Sequence, residues 1–259
     1  MTRRTDPIVF ITGASSGIGE ALARHYATHG AAVGLFARRE HELLRVAKSL
    51  APAQVATYAG DVRDAASLAR AAGEFRARFG TPNIVIGSAG ISQGTLTEHA
   101  EDLPAFRSVL ETNVLGLVNA FQPFIAPMRA GRQGALVGIA SIAGFRGLPG
   151  SGAYSASKAA AIVYLESLRV ELHGSGIAVV TVCPGYIATP MTADNPYPMP
   201  FLMQPDVAAR RIARAIARRG RFYVLPWPMA IGGVVLRALP RPLYDRLFAN
   251  APVKPRRAG

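Results

Sequence analysis

The chain has 259 residues, 50% of them hydrophobic and 17% charged, a balance that excludes a disordered chain and suffices for a large buried core. No apolar run reaches the ~20 residues of a membrane-spanning helix, and the opening MTRRTDPIVFITG lacks the long apolar stretch of a secretion signal. The net charge of +13 is uneven: residues 204–259 hold 12 Lys and Arg against 2 Asp and Glu, whereas residues 1–203 hold 17 against 14.

Along the chain, short β-branched runs alternate with alanine-rich segments of helical period. PIVFITG, AAVGLFA, QVATYAGDV, NIVIGSAG, GALVGIAS and IAVVTVCPG predict buried strands, each bounded by Gly, Pro or Asn, and RFYVLP predicts a further one. Between them GEALARHYATHG, EHELLRVAKSL, AASLARAAGEFRARFG, PAFRSVLETNVLGLVNAFQPFIAPM and YSASKAAAIVYLESLRVELHGSG repeat apolar residues every three and four positions, the helical period. Gly30, Gly80 and Gly174 fall where such helices stop. This alternation predicts an α/β fold: one Rossmann-type, doubly wound parallel sheet of about seven strands with helices on both faces, a single domain over residues 1–259. The single cysteine, Cys183, forms no internal disulfide, and its apolar strand reads as core; a cytoplasmic location is expected, and no metal.

The first strand-to-helix turn is FITGASSGIGEALARHYATHG. Gly13, Gly17 and Gly19 allow a tight turn and close approach of a ligand, while a helix N-terminus offers unpaired N–H groups to a pyrophosphate. An NAD site places an acid at the end of the second strand. Here GLFARREHEL has Ala37 at that place, followed by Arg38 and Arg39. A guanidinium, that of Arg38 foremost, pairs with a 2′-phosphate that a carboxylate would repel, so NADP(H) is preferred over NAD(H). After the third strand, Asp61-Val62 covers an adenine or is an ordinary turn.

Ser141 lies at the end of the fifth strand, where a doubly wound sheet presents its site. Tyr154 follows, and Lys158 stands one helical turn further on the same face. Asn113 interrupts LETNVLGLVNAF, an unfavourable place for asparagine in a helix. Together these supply a hydroxyl, a phenol, an ammonium and an amide beside a nucleotide.

The series Thr12-Gly13-x-x-x-Gly17-Ile18-Gly19, Asp61-Val62, Ala89-Gly90, Asn113, Ser141, Tyr154-x-x-x-Lys158 and Pro184-Gly185 with Thr189 resembles the short-chain dehydrogenase/reductase family in order and spacing, over roughly residues 8–191. The resemblance implies that Asn113, Ser141, Tyr154 and Lys158 are catalytic. It implies cofactor contacts from Gly13, Ser15, Ser16, Gly17, Ile18, Gly19, Arg38, Arg39, Asp61, Val62, Ala89, Gly90, Tyr154, Lys158, Pro184, Gly185, Ile187 and Thr189. In such a site Tyr154 exchanges a proton with a carbonyl or alcohol substrate, Lys158 favours the ionised phenol, Ser141 holds the substrate oxygen, and Asn113 holds a water. A homodimer or homotetramer through the helices of Asn113 and Tyr154 is implied as well. Two departures stand out. Gly87-Ser88-Ala89-Gly90 replaces the family's Asn-Asn-Ala-Gly, and the tail lacks the Gly-Gln and Asp-Gly-Gly ending of its bacterial 3-oxoacyl reductases.

Residues 190–221, rich in Pro and Met, are expected to cover the substrate or to pack on the domain as an ordinary apolar loop. Within them Asp206 begins an amphipathic helix that reads as docked, with Arg210, Arg214 and Arg218 on its solvated side. Residues 226–259 form a basic, apolar extension that lies on a membrane surface, covers the pocket or packs in a dimer. The expected function is NADP(H)-dependent interconversion of a ketone or aldehyde and an alcohol on a fairly apolar substrate. The alternatives are a 3-oxoacyl-thioester reductase and a nucleotide-binding sensor or scaffold. No reading motif for nucleic acid accompanies the basic tail.

Overall fold

The computed structural model describes residues 7–256. Seven parallel strands form one sheet: β1 (Ile8–Thr12), β2 (Ala32–Ala37), β3 (Val55–Ala59), β4 (Ile84–Gly87), β5 (Gly134–Ile139), β6 (Ile177–Pro184) and β7 (Phe222–Leu225), in the order β3-β2-β1-β4-β5-β6-β7. The seventh is the strand expected at RFYVLP, and the fold class is the one the alternation predicts.

Burial on both faces explains why the strands read as continuous apolar runs. Val9, Ile11, Val33 and Leu35 face a layer made by α1 (Gly17–Thr28), α2 (Glu40–Ser49) and α7 (Pro205–Ala217). Phe10 and Phe36 face the opposite layer of α3 (Ala65–Phe79), α5 (Gly116–Ala130) and α6 (Gly152–Glu171). The Phe10 ring packs 5.2 Å from Phe75 and 4.9 Å from Phe124. A Cβ on the neighbouring Gly34 would stand 2.6 Å from Phe75, so this strand glycine is a packing requirement.

The long helical run before β5 is not uniform. It comprises α4 (Leu103–Leu110), a π-helical turn at Glu111–Leu115, and α5. Asn113 sits in that turn, which leaves the backbone locally out of α-helical register.

Residues 190–221 divide into two parts of different use. Residues 190–204 are mostly turns, with Met203 bridged to Ile187. α7, by contrast, packs on α1 and buries Ile212 and Ile216 in the core, and β7 completes the sheet. α7 is thus the docked helix that its amphipathic pattern suggests, and residues 190–204 are the part of the expected cover outside it.

The extension forms α8 (Trp227–Ala238) and α9 (Arg241–Phe248) and docks on the loop after β5. Gly233 lets α8 approach Phe145, since a Cβ there would stand 2.4 Å from the ring. The Arg146 guanidinium lies 4.3 Å over the Tyr244 ring and donates to the carbonyls of Leu236 and Arg237, at 3.2 and 3.1 Å. Two apolar faces stay exposed: Leu103, Leu115, Val163 and Val170 near α4–α6, where a second copy is expected, and Trp227, Ile231, Val234 and Val235 on α8. Among the described residues no helix is long and apolar enough to cross a membrane.

Candidate active site

In a parallel sheet all strand carboxyl ends lie along one edge, and the loops after β1 to β6 bring the predicted residues there. The turn after β1 is tightly built. Gly13 has φ +68°, and a Cβ on it would stand 2.7 Å from the Ala89 backbone; one on Gly19 would stand 2.3 Å from the Gly13 carbonyl. Ser16, the N-cap of α1, makes no side-chain cap, so the first-turn N–H groups, Ile18 among them, lack a side-chain acceptor and suit a phosphate. Thr189 closes over this turn: a Cβ on Gly17 would lie 3.1 Å from its methyl group.

Arg39, not Arg38, reaches the turn serines. Its guanidinium donates to Ser15 Oγ at 3.2 Å and Ser16 Oγ at 3.1 Å. Arg38 is also exposed and stands close enough to Asp61 to favour its ionised form. The main partner of Asp61 is Arg63, which the sequence reading missed. Arg63 donates its backbone N–H to Oδ1 at 2.9 Å and two guanidinium N–H groups to Oδ2 at 3.0 and 2.7 Å. This pairing holds the Asp61 carboxyl below its ordinary range. Val62 is buried against Gly116.

Ser141 follows β5 and is buried; its Oγ accepts from Ala143 N at 3.1 Å. The Tyr154 phenol lies close to it. Burial raises the phenol's pKa and the nearby Ser141 hydroxyl opposes the rise. Lys158 is buried, donates from Nζ to the Ile139 carbonyl at 2.8 Å, and lies 5.7 Å from the Tyr154 ring centroid. Burial pulls its pKa down to about 8. Tyr197, from the cover, is near enough to Tyr154 to act on it electrostatically. The Cys183 thiol is fully buried and pushed up to about 12 by burial, as suits a core residue.

Asn113 acts as a clip. Its Oδ1 accepts from Ile91 N at 2.8 Å, while Nδ2 donates to Ile91 O at 3.0 Å and to Ser157 Oγ at 2.9 Å. Ser157 in turn donates to the Tyr154 carbonyl at 2.7 Å. The side chain thus ties the loop after β4 to the helix of Tyr154, and neither of its donors is left for a water. A Cβ on Gly90 would stand 3.2 Å from Asn113 Oδ1 and 3.6 Å from Lys158 Nζ, which puts all three together. The departure at position 87 has a packing reason, since Leu117 fills the space a side chain would need. Beyond β6, Gly185 N donates to the Leu225 carbonyl at 2.7 Å, and Ile187 is buried beneath the cover. Pro184 ends β6 beside Ser141. Among the described residues no cluster of three His, Cys, Asp or Glu could hold a metal.

The short chain dehydrogenase family model matches residues 7–198. An uncharacterized oxidoreductase of Myxococcus xanthus is 36% identical over 91% of this chain and 93% of its own length. The 11-beta-hydroxysteroid dehydrogenase 1A of Arabidopsis thaliana is 35% identical over 71% of this chain, which spans only 53% of that protein. Among solved structures, actinorhodin polyketide ketoreductase with NADPH superposes with a TM-score of 0.79 at 26% identity, covering 87% of this chain and 97% of that one. L-sorbose reductase of Gluconobacter frateurii, complexed with NADPH and L-sorbose, gives 0.77 at 26% identity, covering 85% and 95%.

The clip generates a stability prediction. Asn113→Leu orphans the Ile91 N–H and carbonyl, each costing about 1–3 kcal/mol when buried. Urea unfolding is expected to show a lower midpoint with an unchanged slope; an unchanged midpoint contradicts the clip.

Proposed function

The chain belongs to the short-chain dehydrogenase family, and we propose that it interconverts a ketone or aldehyde and an alcohol on a fairly apolar substrate with NADP(H), Tyr154 being the acid in reduction and the base in oxidation. The observation that carries this reading is the buried Ser141 and Lys158 with the half-buried Tyr154 between them, beside the Gly13–Gly19 turn. The uncapped N-terminus of α1 and the close-packed glycines fit a dinucleotide. NADP(H), when bound, supplies or accepts the hydride.

The chain's own residues handle the proton. Tyr154 gives its phenolic proton to the substrate oxygen, which Ser141 hydrogen-bonds as charge develops. The Lys158 ammonium, fixed by the Ile139 carbonyl, stabilises the phenolate left behind. Asn113 is a positioning residue, holding Ile91 and Ser157 so that the Tyr154 turn keeps its place. Tyr186 and Tyr197, with ring centroids 6.3 Å apart, give the cover an aromatic inner side suited to an apolar substrate. A thioester-borne ketone is the second reading, favoured by the likeness to the polyketide ketoreductase. Parallel assays with free ketones and acyl-thioesters separate the two.

NADP(H) is preferred because Ala37 stands where NAD sites place an acid, and two arginines follow it, Arg39 reaching the turn serines and Arg38 standing near Asp61. Arg38→Ala and Arg39→Ala are each expected to raise KM for NADPH about tenfold or more, with little change for NADH. Equal effects on both cofactors contradict the 2′-phosphate reading.

The buried ammonium fixes the pH response. Lys158 is charged below its pKa of about 8 and neutral above it, so stabilisation of the phenolate is lost as pH rises. For reduction, kcat/KM is expected to be flat below that pKa and to fall above it. Lys158→Met is expected to lose the fall, and about 10²-fold or more of the rate. A profile that rises with pH, or a fall retained by the variant, contradicts the role.

A further inference from the structure

After α9 the chain turns back over the carboxyl edge of the sheet, and six residues meet three separate loops. Lys254 donates to Ser92 Oγ at 3.1 Å and to the Met191 carbonyl at 3.2 Å. The backbone of Lys254 passes so close to Gly94 that a Cβ there would lie 2.3 Å from its carbonyl oxygen. Val253 lies against Gly150, where a Cβ would stand 2.6 Å from its own. Ser92 and Gly94 belong to the loop after β4 that carries Gly90. Gly150 lies one turn ahead of Tyr154, and Met191 two residues beyond Thr189. One short segment therefore borders the loops after β4, β5 and β6, which carry Gly90, Ser141 and Thr189.

The segment is latched rather than merely adjacent. Arg256 donates from Nε to Asp102 Oδ2 at 2.8 Å and from Nη2 to Asp102 Oδ1 at 3.1 Å, a bidentate pair, and from Nη2 to Glu101 Oε1 at 2.9 Å. Asp102 is nearly buried and also accepts from Leu96 N at 2.8 Å, so its position is fixed before Arg256 arrives. A bidentate guanidinium–carboxylate pair with one partner shielded from water is stronger than an exposed ion pair. At the other end, the stacked Tyr244 and Arg146 hold α9 to the loop after β5. Glycines at both close contacts let the segment lie directly on the loops.

We infer that residues 251–256 form the outer wall of the substrate site, latched by Arg256 on Asp102, and that Val253 and Lys254 set which carbonyl compounds are admitted: compact ones in preference to bulky ones. The inference rests on the carbonyl reductase reading above and adds the size of its substrate. The wall acts on substrate choice and not on the cofactor, because the contacts named above fall on residues that follow Gly90 and Thr189 or precede Tyr154, and not on the Gly13–Gly19 turn.

The test uses the full chain, Arg256→Met, Val253→Ala and a chain ending at Asn250. Each is assayed with NADPH over ketones of rising bulk, and NADPH affinity is measured directly as a check on folding. A change of methylene size in an apolar pocket shifts selectivity about tenfold or more. The shortened chain is therefore expected to gain about that much in the ratio of kcat/KM for bulky over compact ketones, with NADPH affinity unchanged. Both point variants are expected to move the same way by a smaller factor, and they decide the matter if the shortened chain does not fold. Ratios equal to wild type in folded variants overturn the wall while leaving the reductase reading intact. A wild-type chain that reduces no carbonyl compound in the series overturns that reading, and the wall with it.

Discussion

Lys158 carries an ammonium where charge is costly: buried, with its Nζ on the Ile139 carbonyl and the Tyr154 ring beside it. Burial alone would favour the neutral amine, and it does lower the pKa to about 8. What keeps the group in place is geometry supplied by the fold. β5 ends so that its last carbonyl faces α6, and α6 begins two residues before Tyr154. Tyrosine and lysine then project from one helical face toward the same sheet edge. The phenol is raised by the same burial, so each group needs the other if a proton is to leave Tyr154 near neutral pH.

The rest of the edge is arranged around that pair. Ser141 stands beside the phenol just beyond the end of β5. Asn113, in its π turn, joins the loop after β4 to the helix of Tyr154 through three hydrogen bonds. On the far side of Gly90, the turn from Gly13 to Gly19 folds onto Ala89 at distances no side chain would permit. The proposed phosphate cradle and proton donor are thus parts of one packed unit. The layer of Phe10, Phe75 and Phe124 beneath the sheet keeps that unit stiff.

Much of this was legible because the chemistry resides in local patterns. Strand runs bounded by Gly, Pro or Asn gave all seven strands, and the one-turn spacing of Tyr154 and Lys158 gave their shared face. Features that depend on distant packing were not legible. Asn113 read as an intruder in a uniform helix, because periodicity does not distinguish a π turn from an α turn. α7 read as a docked helix within the covering segment, and the partner it docks on, α1, was not legible because periodicity shows an apolar side without naming its neighbour. Arg63 was overlooked beside Asp61, although its place two residues on was a fair signal. The latch between Arg256 and Asp102 joins positions 154 apart, and no local pattern announces such a pair.

Reduction with NADPH deuterated at both nicotinamide C4 positions tests the central assignment most directly, by following the label into the product of wild type and Tyr154→Phe. Hydride transfer with Tyr154 as proton donor predicts one deuterium on the carbinol carbon of the alcohol in wild type. It predicts alcohol formation slowed by about 10²-fold or more in the variant, with NADPH still bound. Oxidation of NADPH without labelled alcohol, or equal yields from both proteins, would contradict it.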